Sequence, residues 1–248
     1  MIKQKLKASL IHLLISASII GCFLLFALNI WYPQPFFSIS GLQHIILILI
    51  TVDVILGPLL TFVVFKPKKS SLKFDLTVIA LVQLLALGYG VKTIYEAHPL
   101  YVAYAIDRFT PINANEVTPD KAKYTELKKS KLAGPELVYV QKPSDPAEMS
   151  RVTMEVLSGK PDLDARSEYY EPFKKFIDPI MAKSISPEKI QANYKNKQQL
   201  ENFLAQYGKT ADDYAFLALV GKEKDVLWAF DRHNGEPVDI IDINPFGL

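Results

Sequence analysis

Residues 45–65 read IILILITVDVILGPLLTFVVF, an apolar run broken by a single acid, Asp53. A run of this length matches the roughly 20 residues that cross the hydrocarbon core of a bilayer. Backbone in that environment must satisfy its own hydrogen bonds, so the segment is predicted to be a helix. Two further runs flank it: 10–30, LIHLLISASIIGCFLLFALNI, and 76–94, LTVIALVQLLALGYGVKTI, the latter interrupted by Gln83 and Lys92. The sequence therefore predicts a membrane protein with three transmembrane α-helices in residues 1–97, followed by a separate domain, 98–248, of ordinary single-domain size.

Charge is segregated in the same way. Residues 1–97 carry eight lysines, no arginine and three acids, a balance of +5; residues 98–248 carry 20 basic and 23 acidic side chains, a balance of −3. A net charge of +2 for the whole chain gives no polybasic signal for nucleic acid. Lys3, Lys5 and Lys7 precede the first run, and Lys66, Lys68, Lys69 and Lys73 lie between the second and third. The connection between the first two, WYPQPFFSISGLQH, has neither Lys nor Arg. The positive-inside rule puts both lysine segments in the cytoplasm, against anionic lipid, and sends residues 98–248 out of the cytoplasm across the membrane. Trp31, Tyr32, Phe36 and Phe37 then fit an aromatic belt at the outer interface. A cleaved signal peptide is opposed by the length of the first run. Ile19-Ile20-Gly21-Cys22 has the form of a lipoprotein cleavage box, but Phe23–Phe26 continue the apolar run beyond it. As the sole cysteine, Cys22 also excludes an internal disulfide.

A carboxylate near the centre of a transmembrane helix costs about 2.5–3.5 kcal/mol. Asp53, Gly57 and Thr61 share one face at i, i+4 and i+8. Pro58 removes a helical hydrogen bond and predicts a kink. On the third run Gln83, Ala86 and Gly90 offer a facing polar and small surface, and Gln83 lies within side-chain reach of Asp53 in depth. Two readings stand side by side: Asp53 bonds Gln83 or Thr51 and holds the bundle together, or Asp53, Gly57, Pro58, Thr61 and Gln83 contact a partner's transmembrane helix. A proton path is the weaker reading, because three helices with one acid make a poor conduit.

The C-terminal part reads as α+β. Strands are expected over 100–109, 136–142, 214–220, 226–231 and 236–243, with a turn at Asn234-Gly235. Helices are expected over 118–129, from Asp145-Pro146 to Leu157, in pieces over 166–184, and from Ser186-Pro187 to near Gly208. The predicted sheet is antiparallel. His12, His44, His98 and His233 have no metal-ligand spacing, and no phosphate loop or nucleophile elbow occurs. Asp162-x-Asp164 lacks the glycine a calcium loop needs, with Ser167 in its place. Asp231-Arg232-His233 reads as a solvated hairpin end, and Glu168–Glu171 as a helix edge. No cofactor, metal or small-molecule substrate is implied, and the chain reads as non-catalytic.

Val52-Asp53-Val54-Ile55-Leu56-Gly57-Pro58-Leu59-Leu60-Thr61, followed by Phe65-Lys66-Pro67-Lys68-Lys69, resembles a motif of the TfpX/TfpZ family of type IV pilin accessory proteins. Tyr89-Gly90-Val91, Tyr95–Pro99 and Asp107-Arg108-Phe109 are similar to the same family, with His98-Pro99 where many members have Arg-Pro. The resemblance implies an inner-membrane protein of Gram-negative bacteria with a periplasmic domain and no known enzymatic activity. It implies a chaperone-like role in type IV pilus, or fimbrium, biogenesis, with a type IV pilin or pilus assembly protein as partner. A membrane-anchored sensor is the alternative, opposed by the shortness of the cytoplasmic segments. A tethered periplasmic enzyme acting on pilin is another, and needs a deep pocket with convergent acids.

Overall fold

A computed structural model describes all 248 residues. They form two compact units: 1–30 with 41–97, and 31–40 with 98–248. In the first unit, three helices are long and apolar enough to cross a membrane: α1 (Ile2–Trp31), α2 (Leu42–Val64) and α3 (Leu72–Glu96). Each extends past its apolar run, because the polar residues that flank it, Lys3–Ser9 on α1 and Lys73–Asp75 on α3, continue the helix. Gly41 turns the chain into α2 at φ 72°, a left-handed value that glycine adopts without cost. Both α1 and α3 pack on α2 and leave a groove between themselves. The Lys5 ammonium donates to the Val63 carbonyl at 3.2 Å and lies over the Phe62 ring, so the N-terminal lysines sit beside the end of α2 that leads into the second lysine segment.

Pro58 acts on α2 from one turn away. Over Thr51–Leu56 the backbone widens to a π-helix and returns to α geometry at Gly57. A π turn makes room for a ring that lacks an N–H and would clash with the preceding turn. The distortion expected at the proline is thus taken up in the segment that carries Asp53.

The second unit is built on one seven-stranded sheet, in the order β4 (Tyr170–Pro172), β3 (Glu136–Val140), β1 (Pro99–Ala105), β2 (Arg108–Asn113), β5 (Tyr214–Leu219), β6 (Val226–Asp231), β7 (Pro237–Ile241). The sheet is mixed, which corrects the antiparallel expectation: β1 pairs parallel with β3, and β2 parallel with β5. The cause lies in the 100–109 run, which is two strands. It reverses at Ile106-Asp107 and makes a central hairpin, and β3 and β5 return to its two outer edges by long crossovers. The predicted helix over 118–129 is only two 3-10 turns, Pro119–Lys121 and Thr125–Leu127. Its buried anchors Val117, Ala122 and Leu127 are five apart, a spacing that an α-helix spreads around its circumference. Helix α4 (Pro146–Leu157) starts where expected, with the Asp145 side chain accepting from the Ala147 N–H. Three short helices complete the unit: α5 (Ile177–Met181), α6 (Pro187–Gln191) and α7 (Tyr194–Tyr207), the last closed by left-handed Gly208.

Side chains alternate across the sheet. Val102, Tyr104, Phe109, Leu217, Leu219, Trp228 and Phe230 form one core; Tyr101, Ala103 and Val138, then Phe216, Leu227 and Ala229, face two cores on the other side. The first core is completed by residues from between α1 and α2. Ile39 is buried in it, and the edge of Phe36 meets the Trp228 ring at 5.8 Å. Glu223 N–H donates to the Ile39 carbonyl at 2.9 Å. Gly221 closes its own turn and also lets this segment in, since a Cβ there would lie 2.2 Å from the Lys224 carbonyl oxygen and 2.7 Å from Ile39 Cβ. Trp31 stacks on His98 at 4.9 Å and donates its indole N–H to the Leu132 carbonyl at 3.1 Å. Trp31, Tyr32 and Phe36 are therefore buried rather than arrayed as an interfacial belt, and Phe37 is half-buried.

Truncating Ile39 to Ala in the full chain should lower the stability of the second unit by about 2–5 kcal/mol, as expected for a buried isoleucine. Denaturant unfolding in detergent, followed by tryptophan fluorescence, measures it; a change within about 0.5 kcal/mol would show that the segment is dispensable.

Candidate functional site

Asp53 lies in the π turn of α2 and is 4% exposed. Gly57, Pro58 and Thr61 follow it on the same buried face. Gln83 of α3 donates to the Asp53 carbonyl at 3.1 Å and reaches its Oδ1 at 3.5 Å. The amide fits because Gly57 has no side chain: a Cβ there would come within 2.0 Å of Gln83 Nε2. Thr51 donates instead to the Leu47 carbonyl at 2.8 Å. From α1, His12 Nδ1 is in hydrogen-bond contact with Thr61 Oγ1 at 2.6 Å, and the Ser9 hydroxyl donates to the Pro58 carbonyl at 2.8 Å. Leu49 occupies the slot left by Gly90. Pro58 and Thr61 are therefore bonded from α1 by Ser9 and His12, whereas Asp53, Gly57 and Gln83 meet at the α2–α3 contact. Asp53 Oδ2 and Gln83 Oε1 are buried there with no hydrogen-bond donor.

The second unit has a wider opening, of about 570 Å³, between the tip of the β1–β2 hairpin and α4. Its apolar lining includes Ile106, Met149, Val152 and Val156, and its charged lining Arg108, Lys142, Asp162 and Asp164. Ile106 is 67% exposed and holds φ 64°, because the Asp107 N–H closes a three-residue turn on the Ala105 carbonyl at 2.8 Å. A β-branched residue in that region is strained. Burial, then the neighbouring Asp162, pushes the Asp164 carboxyl above the usual aspartate range. Nearby, Arg166 bonds Glu155 at 2.6 Å and holds it down to about 2. The Asp231-Arg232-His233 stretch is a hairpin end: Asp231 accepts from the His233 N–H and pairs with Lys209.

Comparison with known proteins sets these features in a family. The profile of the fimbrial assembly protein FimB matches residues 1–41. A fimbrial assembly protein of serogroups C1 and C2 from Dichelobacter nodosus is 31% identical over 117 residues, covering 46% of this chain and 89% of that protein. The chain belongs to the FimB family of fimbrial assembly proteins. Two longer FimB-like relatives, the serogroup I and serogroup E1 fimbrial assembly proteins of the same organism, are each 25% identical over 248 residues, 98% of this chain and 96% of theirs. No solved structure matches. The membership agrees with the type IV pilus accessory resemblance drawn from the α2 motif.

Within this FimB-family bundle, sequence reasoning found the α2–α3 contact but missed the α1 side. His12 and Ser9 carried a usable signal, as polar groups near the N-terminal end of the first apolar run. Their partners on α2 follow only from the antiparallel register of the two helices.

Gly57→Ala should expel the Gln83 amide and destabilise the bundle by about 1–3 kcal/mol. Adding Gln83→Ala should recover at least half of that loss, since the two sites touch. Unfolding of the four variants in mixed micelles gives the cycle. Strict additivity would mean that Gly57 serves some other neighbour.

Proposed function

We propose that this protein is a non-catalytic accessory factor of type IV pilus biogenesis, held in the inner membrane by α1–α3 with its N-terminus in the cytoplasm and its sheet domain in the periplasm. The carrying observation is the burial of residues 31–40 in the domain formed by 98–248. That packing supports placing the α1–α2 connection and the residues after α3 on one side of the bilayer, in keeping with three crossings. The lysines of 3–7 and 66–73 favour the cytoplasm for the opposite side. The relatives' names supply the process, fimbrial assembly.

In this reading the partner is a pilin or another pilus component. A pilin awaiting assembly has an apolar helix in the bilayer and a head outside it. Of the five residues singled out, Asp53 and Gln83 serve the helix, while Gly57, Pro58 and Thr61 are covered by the bundle's own α1 and α3; the Ile106–Met149 cleft serves the head. Two modest contacts on linked elements raise the effective affinity without any covalent step.

Two outcomes are expected. A reporter enzyme active only outside the cytoplasm should work when fused after Leu248 and fail when inserted at Ser70; the reverse pattern overturns the topology. Ile106→Gly should remove backbone strain and stabilise the domain by roughly 1 kcal/mol, while lowering surface pili by at least half with pilin levels unchanged. Full piliation in that strain would remove the cleft from the reading.

A further inference from the structure

The groove between α1 and α3 has a polar floor and apolar walls. Asp53 and Gln83 form the floor with His12 beside them, Ile15, Ile19, Leu84 and Leu87 line the walls, and the small residues Ser16 and Ala80 also line the groove. The opening measures about 170 Å³, on the scale of one side chain rather than a channel. Two acceptor atoms, Asp53 Oδ2 and Gln83 Oε1, belong to this floor and lack a donor, although Asp53 is almost fully buried. An unpaired acceptor in a low-dielectric interior is costly, so the floor is complete only when a donor enters. A lipid tail fits the walls but has no N–H or O–H. A helix with an apolar surface and one donating side chain satisfies both parts, and the small residues in the lining let its backbone approach.

We propose that the α1–α3 groove is the docking site for one transmembrane helix of a pilus component, which donates an O–H or N–H to the Asp53–Gln83 pair. This rests on the membrane-embedded accessory reading above and adds the location and the chemistry of recognition. The internal bonds Asp53–Gln83 and His12–Thr61 hold the groove open, and the partner completes the polar set as a fourth helix would.

Photo-crosslinking in intact membranes tests it, with the full chain and a small diazirine side chain. The groove positions are Ile19 and Leu84, which are 48% and 62% exposed; the outward controls are Leu25 and Leu85, both 67% exposed. Adducts with a fimbrial subunit or with a fimbrial assembly protein other than this chain, identified by mass spectrometry, should be at least fivefold more abundant at the groove positions. Asp53→Leu should reduce the Leu84 adduct about tenfold. Should Asp53→Leu fail to accumulate, Ser16→Phe places a ring in the groove and should have the same effect. Equal yields at groove and control positions overturn the groove while leaving a pilus partner in place. Lipid adducts alone, or adducts between two copies of this chain, also overturn it. No fimbrial adduct at any of these positions, nor at Met149 in the outer cleft, removes the accessory reading as well.

Discussion

The fit of Ile39 against Gly221 is the constraint on which the rest of the second unit depends. A glycine admits a neighbouring backbone that any Cβ would repel, and the Glu223 N–H fixes the Ile39 carbonyl in place. Phe36 and Ile39 then complete an aromatic core around Phe109, Trp228 and Phe230. A short piece of chain, with a helix on either side of it, thereby becomes part of a fold whose other residues begin at His98. The His98 ring takes part in the same arrangement by lying flat on Trp31.

The helical unit follows a different logic. In lipid there is no hydrophobic drive between helices, so packing of small residues and polar contacts hold them together. Here Gly57 and Gly90 supply the slots, Gln83 and Leu49 fill them, and His12 and Ser9 tie α1 to the same strip of α2. Pro58 contributes indirectly. The π turn it provokes lies across the residue whose carboxylate forms the floor of the groove. Distortion, acid and cleft are one feature of α2 seen at three scales.

Much of this was legible in the sequence, and the limits have physical causes. Three apolar runs announce three helices because hydrocarbon permits little else. Asp53 and Gln83 could be paired by depth alone. The strands of 214–231 and the start of α4 carry strong local signals, alternation in one case and an Asp-Pro cap in the other. The mixed sheet was not legible, since a parallel neighbour is reached by a crossover and no local pattern names it. The division of 100–109 was hidden as well, because Ile106 is a poor residue for a left-handed turn and offers no glycine or asparagine to mark one. The burial of 31–40 was ambiguous for another reason: Trp, Tyr and Phe at a helix end suit a membrane interface and a protein core equally well.

Building one domain from two separated stretches has a temporal consequence. A ribosome making a chain threaded as proposed delivers residues 31–40 early, and strand β6 only some 190 residues afterwards. At about 5–20 residues per second that interval is roughly 10–40 s. Throughout it Phe36 and Ile39 lack the Trp228 and Phe230 half of their core, so the newborn polypeptide must hold a partly covered aromatic stub until the remainder arrives.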